Sequence, residues 1–135
     1  MEVRDLLKQA PLFKKVSVGE LDELAHSTRM RTYRTGQVIL REGRVGASFF
    51  VLVSGSVEVV KGIDGSQPVV VATLGAGEFF GEVAPMKHMS RSASVRAIQE
   101  TKCLVISRLD FEAYIRRFPD ITAKVKSALS ARFDD

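Results

Sequence analysis

Cysteine is almost absent from this chain: Cys103, inside the run CLVI, is its one copy. A disulfide within the chain is therefore excluded, and a lone cysteine among aliphatic neighbours reads as a small buried hydrophobe. That fits a reducing, cytoplasmic setting. Long apolar runs are missing too. No stretch approaches the roughly 18 residues that cross a bilayer as a helix, and the opening MEVRDLLKQAP carries too much charge for a signal peptide. Internal repeats, low-complexity tracts and linkers are absent. Nor does one sign of charge dominate: 20 Lys and Arg stand against 16 Asp and Glu, a net of +4. The basic residues are scattered among acids and the densest local groups are only RMRTYR and YIRRF, which argues against direct nucleic-acid binding. A mild positive field still favours a small anionic ligand. His26 and His88 have no partner at metal-ligand spacing, and no Ser–His–Asp order or pair of carboxylates suggests catalysis.

What is present is enough for one domain. A chain of 135 residues, 45% hydrophobic, can bury a core without disulfides or a structural metal. The reading places helices over about residues 1–30, strands over about 31–107 and helices again over about 108–133. Residues 1–9 read as a short helix ended by Pro11. Ser17-Val18-Gly19-Glu20 matches the capping box S-x-x-E, ahead of Leu21, Leu24 and Ala25 at helical spacing. From Arg31 on, short β-branched or aromatic runs alternate with glycine-containing breaks: QVIL, SFFVLV, SVEVV, VVVATL, SASVRAI and KCLVIS. Ser54-Gly55 and Asp64-Gly65 are hairpin signals. Around SVEVV, Val57 and Val59 face one way and Glu58 the other. Phe49, Phe50, Phe79 and Phe80 read as core. Glu42 and Glu78, beside glycines, read as solvated turn residues. After Ser107, a capped helix carries Phe111, Tyr114, Ile115 and Phe118, and Pro119 interrupts before a last apolar stripe. The fold class is mainly β with flanking helices: a jelly-roll barrel between N-terminal helices and C-terminal lid helices.

One stretch carries chemistry, GEFFGEVAPMKHMSRSASVRA from Gly77 to Ala97. Glu82 follows Gly81, and Arg91 comes nine residues later, beside the small residues Ser92 and Ala93. An ordinary surface ion pair would explain the two charges, but not the small residues in register with them. A helix opening after Gly81 would offer free N–H groups to an anion, and an arginine would add bidentate phosphate recognition. A carboxylate nearby could accept hydrogen bonds from a sugar hydroxyl. A cyclic nucleotide combines one ring phosphate with one free ribose 2′-OH.

Phe80-Gly81-Glu82-Val83-Ala84, six residues, then Arg91-Ser92-Ala93 resembles the phosphate-binding cassette of cyclic nucleotide-binding domains, the module of catabolite activators, protein kinase A regulatory subunits and cyclic nucleotide-gated channels. PLFKKVSVGELDELA, RTGQVILREG, SFFVLVSGSVEVV and VVVATLGAGEFFGE resemble that family's helical entry, early strand and turn, central hairpin and approach to the cassette, so the likeness runs over nearly the whole chain. The resemblance implies roles. Arg91 would pair with the cyclic phosphate. Glu82 would bind the 2′-OH, with the Gly81 N–H beside it. The backbone N–H groups of Ala84 and Ser92 would meet phosphate, and the Ser92 hydroxyl would meet phosphate or a guanine edge. Val83 would sense the ligand, Val71 and Ala93 would pack on base and phosphate wall, and Phe80 would close the set. Arg132 and Phe133, with Ser127, would belong to a lid hinged near Phe118-Pro119. Pro85 and the loop MKHMS, with Lys87 and His88, depart from the family pattern.

The resulting expectation is a non-enzymatic sensor whose ligand is cAMP rather than cGMP, because Arg-Ser-Ala also occurs in many bacterial cAMP binders. It needs no cofactor or metal. Its partners would be the nucleotide, an effector domain or protein, and a second copy paired through the last helix. The competing reading is a coupling domain that keeps the fold without the ligand.

Overall fold

Ser17 caps the second helix as its S-x-x-E pattern predicts: its Oγ accepts the Glu20 N–H at 3.3 Å and donates to Glu20 Oε1 at 2.7 Å. The structure, a computed structural model, describes residues 2–14, 16–42, 48–81, 93–119 and 123, with only the backbone of Arg108 and Ile115. Helix α1 (Val3–Gln9) is followed by a 3-10 turn at Pro11–Phe13 and by α2 (Val18–His26). Pro11 thus opens a turn of its own, where its missing N–H costs nothing. Lys8 fastens this region by donating to the carbonyls of Lys14 and Val16 at 2.8 and 2.7 Å.

Eight strands follow among the described residues: β1 (Thr28–Tyr33), β2 (Val38–Leu40), β3 (Ser48–Ser54), β4 (Ser56–Lys61), β5 (Val69–Gly75), β6 (Phe79–Gly81), β7 (Ser94–Ala97) and β8 (Thr101–Ser107). They pair antiparallel in two four-stranded sheets, β1-β8-β3-β6 and β2-β7-β4-β5. That is the strand order of a jelly roll. Helix α3 (Arg108–Arg117) comes next, capped by Ser107, whose Oγ accepts the Asp110 N–H at 3.2 Å and donates to Asp110 Oδ2 at 2.7 Å.

Two expectations need correction, and a third holds with an addition. The strands begin at Thr28 rather than near residue 31, because α2 ends at His26 and the Thr28 Oγ1 closes it by donating to the Leu24 carbonyl at 2.8 Å. Ser54-Gly55 does not close a hairpin: β3 lies in the first sheet and β4 in the second, and Gly55 turns the corner between them. Its φ is +89°, and a Cβ there would fall 2.4 Å from the Glu100 carbonyl oxygen, so glycine is required. In β4, Val57 and Val59 are buried and Glu58 is not, but Val60 is buried as well, because the pairing with β5 shifts register between Val59 and Val60.

The core has two compartments, one on each face of the first sheet. Leu7, Leu12, Phe13, Leu21 and Leu24 from the helical N-terminus, with Phe111 and Tyr114 of α3, cover Phe49, Val51, Phe79, Leu104 and Ile106. The barrel interior holds Phe50, Leu52, Val57, Val59, Leu74, Phe80, Ala93, Val95 and Cys103. Each phenylalanine doublet therefore sends one ring to each compartment, as alternation along a strand demands. Phe49 stacks on Phe111 at 3.9 Å between centroids, and Phe50 stacks on Phe80 at 4.8 Å. Burying a phenylalanine side chain contributes about 1.5–3 kcal/mol, so these doublets clamp helices and barrel to one sheet.

Candidate functional site

The chain leaves the first sheet at Gly81, the last residue of β6, and enters the second at Ser94, the first of β7. The two ends of the cassette-like stretch therefore stand on different sheets. Glu82, Val83, Ala84, Arg91 and Ser92 lie outside the described residues, as do Pro85, Lys87, His88, Ser127, Arg132 and Phe133. Gly81, Phe80, Ala93 and Val71 are described, and the fold gathers them round the barrel interior.

Phe80 is 4% exposed and stacks on Phe50 with only 3° between ring planes. Ala93 is also 4% exposed and belongs to the same core. Val71, on β5, is half-buried against that core, next to Ala72. Gly81 pairs with Phe49 of β3 and has φ +114°. A Cβ on Gly81 would lie 2.6 Å from the Ser48 carbonyl oxygen and 2.9 Å from Phe50 Cδ1. The glycine is thus required by its own neighbouring strand, whatever approaches from outside.

The other end is held by polar contacts that sequence reading missed. Ser94 is fully buried, and its Oγ accepts the Glu42 N–H at 2.9 Å, tying the residue after Ala93 to the segment just beyond β2. The Glu42 carboxylate reaches on to the Gly62 N–H at 2.9 Å, and Arg41 Nη1 meets Asp64 Oδ2 at 2.7 Å, so the β4–β5 loop is drawn to the same place. Glu78 accepts the Gly75 N–H at 2.9 Å. Both carboxylates are exposed, as expected, yet each fixes a turn; only the glycines beside them hinted at this.

On the second sheet, Glu58 and Arg96 face each other across β4 and β7, with Arg96 Nε 2.9 Å from Glu58 Oε1. The guanidinium Nη2 contacts the same oxygen. The outward turn of Glu58 was readable from strand alternation, but its partner depends on register. Inside the barrel, Val59 stands opposite Val95 and Ala72, both in or against the core, which gives an apolar wall suited to a flat uncharged group. Cys103 is fully buried there, and burial pushes its thiol up to about 12, so it stays a neutral packing group. Burial also raises the Tyr33 phenol, helped by Cys103 beside it. Among the described residues no group of three or more His, Cys, Asp or Glu could hold a metal, and no helix is long and apolar enough to cross a membrane.

Comparison with known proteins fits this geometry. The family model for the cyclic nucleotide-binding domain matches residues 30–118. The cyclic AMP receptor protein of Thermus thermophilus is 32% identical over 126 residues, covering 93% of this chain and 58% of that protein. The cGMP-dependent protein kinase 2 of Mus musculus is 34% identical over 122 residues, covering 89% of this chain and 16% of the kinase. Among solved structures, the Thermus thermophilus catabolite activator protein superposes with a TM-score of 0.73 at 31% identity, covering 93% of this chain and 59% of that one. The chain thus spans 16% to 58% of the length of these curated relatives. The matched span holds the whole barrel from Met30 onward and α3, and on that ground the chain belongs to the cyclic nucleotide-binding domain family.

Proposed function

We propose that this chain is a regulatory module that binds a cyclic nucleotide, cAMP in preference to cGMP, and transmits occupancy through its C-terminal helices. The observation that carries the reading is the placement of Gly81 and Ala93. Gly81 ends a strand of the first sheet and Ala93 immediately precedes a strand of the second, and Ala93 shares its core with the apolar wall of Val59, Val71 and Ala72. In this reading Arg91 and the N–H groups of Ala84 and Ser92 hold the phosphate. Glu82 and the Gly81 N–H hold the ribose, Val83 senses occupancy, and the base lies on the apolar wall. The preference for cAMP rests on Ser92, where a threonine would better meet the guanine amino group. Curated relatives are named for each nucleotide, so the family alone leaves the choice to such side chains.

A ligand shifts a conformational equilibrium only by its differential affinity for the two states. The helices beyond Phe118-Pro119, with Ser127, Arg132 and Phe133, are the moving part in this proposal. The barrel and α3, tied by the Phe49–Phe111 stack, form the fixed frame. Effector domains or proteins, or a second copy of the chain, would read the movement.

Calorimetric titration with cAMP, cGMP and 2′-deoxy-cAMP tests the proposal. The wild type should bind cAMP most tightly. Arg91→Ala should weaken cAMP by about 100-fold, the loss typical when one partner of a buried charged contact is removed. Glu82→Ala should erase the discrimination against the 2′-deoxy compound. Unchanged cAMP affinity in Arg91→Ala would refute the assignment of the pocket.

A further inference from the structure

A second cleft is lined by described residues that do not belong to the cassette-like stretch. It has a volume of about 370 Å³ and is walled by His26 at the end of α2, Arg29 and Arg31 of β1, Ser48 of β3, and Ser107 and Asp110 at the start of α3. That volume falls within the range of small-molecule sites, about 300–1,000 Å³.

Its charge is unbalanced. Arg29 pairs with Val105 and Arg31 with Cys103 across β1 and β8, so the two guanidinium groups share one face of an edge strand. Strand geometry puts their Cα atoms about 6.6 Å apart, near enough for both forks to reach one polyanion. Among the described residues, neither arginine has a carboxylate at ion-pair distance, whereas Arg4, Arg41, Arg96 and Arg117 all do. Asp110 in the wall accepts the Ser107 hydroxyl at 2.7 Å as the cap of α3 and keeps its charge, so the two arginines and one carboxylate among the described lining residues leave one positive charge in excess. The Ser48 hydroxyl has no protein partner among the described residues and supplies a further donor. Two like charges held two residues apart repel in the free protein. An anion between them relieves that repulsion and makes charge-assisted bonds to both forks.

We infer that this cleft is a binding site for a phosphate-bearing small molecule, preferably one with two adjacent phosphate groups, separate from the cassette and independent of what the cassette binds.

The test uses inorganic pyrophosphate as probe and amide chemical shifts of the isotope-labelled whole chain as readout. In the wild type and in Arg91→Ala alike, the amides of Arg29, Arg31 and Ser48 should shift and saturate. In Arg29→Gln/Arg31→Gln, with a spectrum otherwise unchanged, the apparent affinity should fall about tenfold or more. Three results would overturn the inference. One is an absence of saturable shifts at about 10 mM probe. Another is equal affinity in the double variant. The third is shifts that vanish in Arg91→Ala, which would assign the anion to the cassette. Each single variant carries the same comparison should the double variant fold poorly.

Discussion

Gly81 and Ser48 stand so close that no side chain fits between their strands: a Cβ on Gly81 would approach the Ser48 carbonyl oxygen to 2.6 Å. The glycine near the start of the cassette-like stretch is therefore a packing requirement of the barrel. Ser48 in turn lines the second cleft, so a single strand end borders both candidate sites.

Gly81→Ala should destabilise the fold through both the positive φ and the clash with β3, by about 2 kcal/mol or more. Urea denaturation monitored by circular dichroism measures it. A loss below a few tenths of a kcal/mol would show that β3 and β6 separate easily, and that the glycine serves something other than strand packing.

Stability should fall as the solution becomes alkaline. The Cys103 thiol is held up to about 12 by burial, against 9.0 for the free group. Between those values the unfolded chain releases a proton that the folded chain keeps, so the unfolded state binds fewer protons and is favoured by rising pH. The loss begins near pH 9 and approaches about 1.4 kcal/mol per pH unit for this group. The Tyr33 and Tyr114 phenols are raised too, first by burial, and act in the same direction. Denaturation midpoints from pH 8 to 11 should decline less steeply in Cys103→Val than in wild type. Parallel curves would remove the thiol from the account.

Tyr114→Phe should leave stability unchanged or raise it by up to about 1 kcal/mol. The Tyr114 ring packs against Phe13 and Phe118, with centroids at 6.1 and 4.8 Å, while its buried hydroxyl has no hydrogen-bond partner among the described residues. An unsatisfied buried hydroxyl is a cost that phenylalanine avoids without altering the packing. A drop in melting temperature of several degrees would mean that the hydroxyl is satisfied by a group not described.

Much of this protein is written locally. Caps at Ser17 and Ser107 depend on residues three positions away; the first was readable as S-x-x-E and the second as a helix capped after Ser107. The barrel class followed from short runs separated by glycines, and the family from Phe80 to Ala93 and its flanking patterns. The candidate site was legible as a motif because its residues sit within one short stretch; its described ends, Gly81 and Ala93, meet the barrel core, and its charged centre rests on the motif alone.

What the tertiary structure alone decided depends on partners distant in sequence. Ser54-Gly55 resembles a hairpin turn locally, and only the pairing of β4 with β7 and β5 makes it a corner between sheets. Glu58 finds Arg96 thirty-eight positions on, and Glu42 finds Ser94 fifty-two positions on. Arg29 and Arg31 looked like scattered charge until β8, β3 and α3 closed a cleft around them. Local sequence sets propensity, caps and the face each side chain takes. The register between strands, which sets what that face meets, follows from how the two apolar compartments fill together.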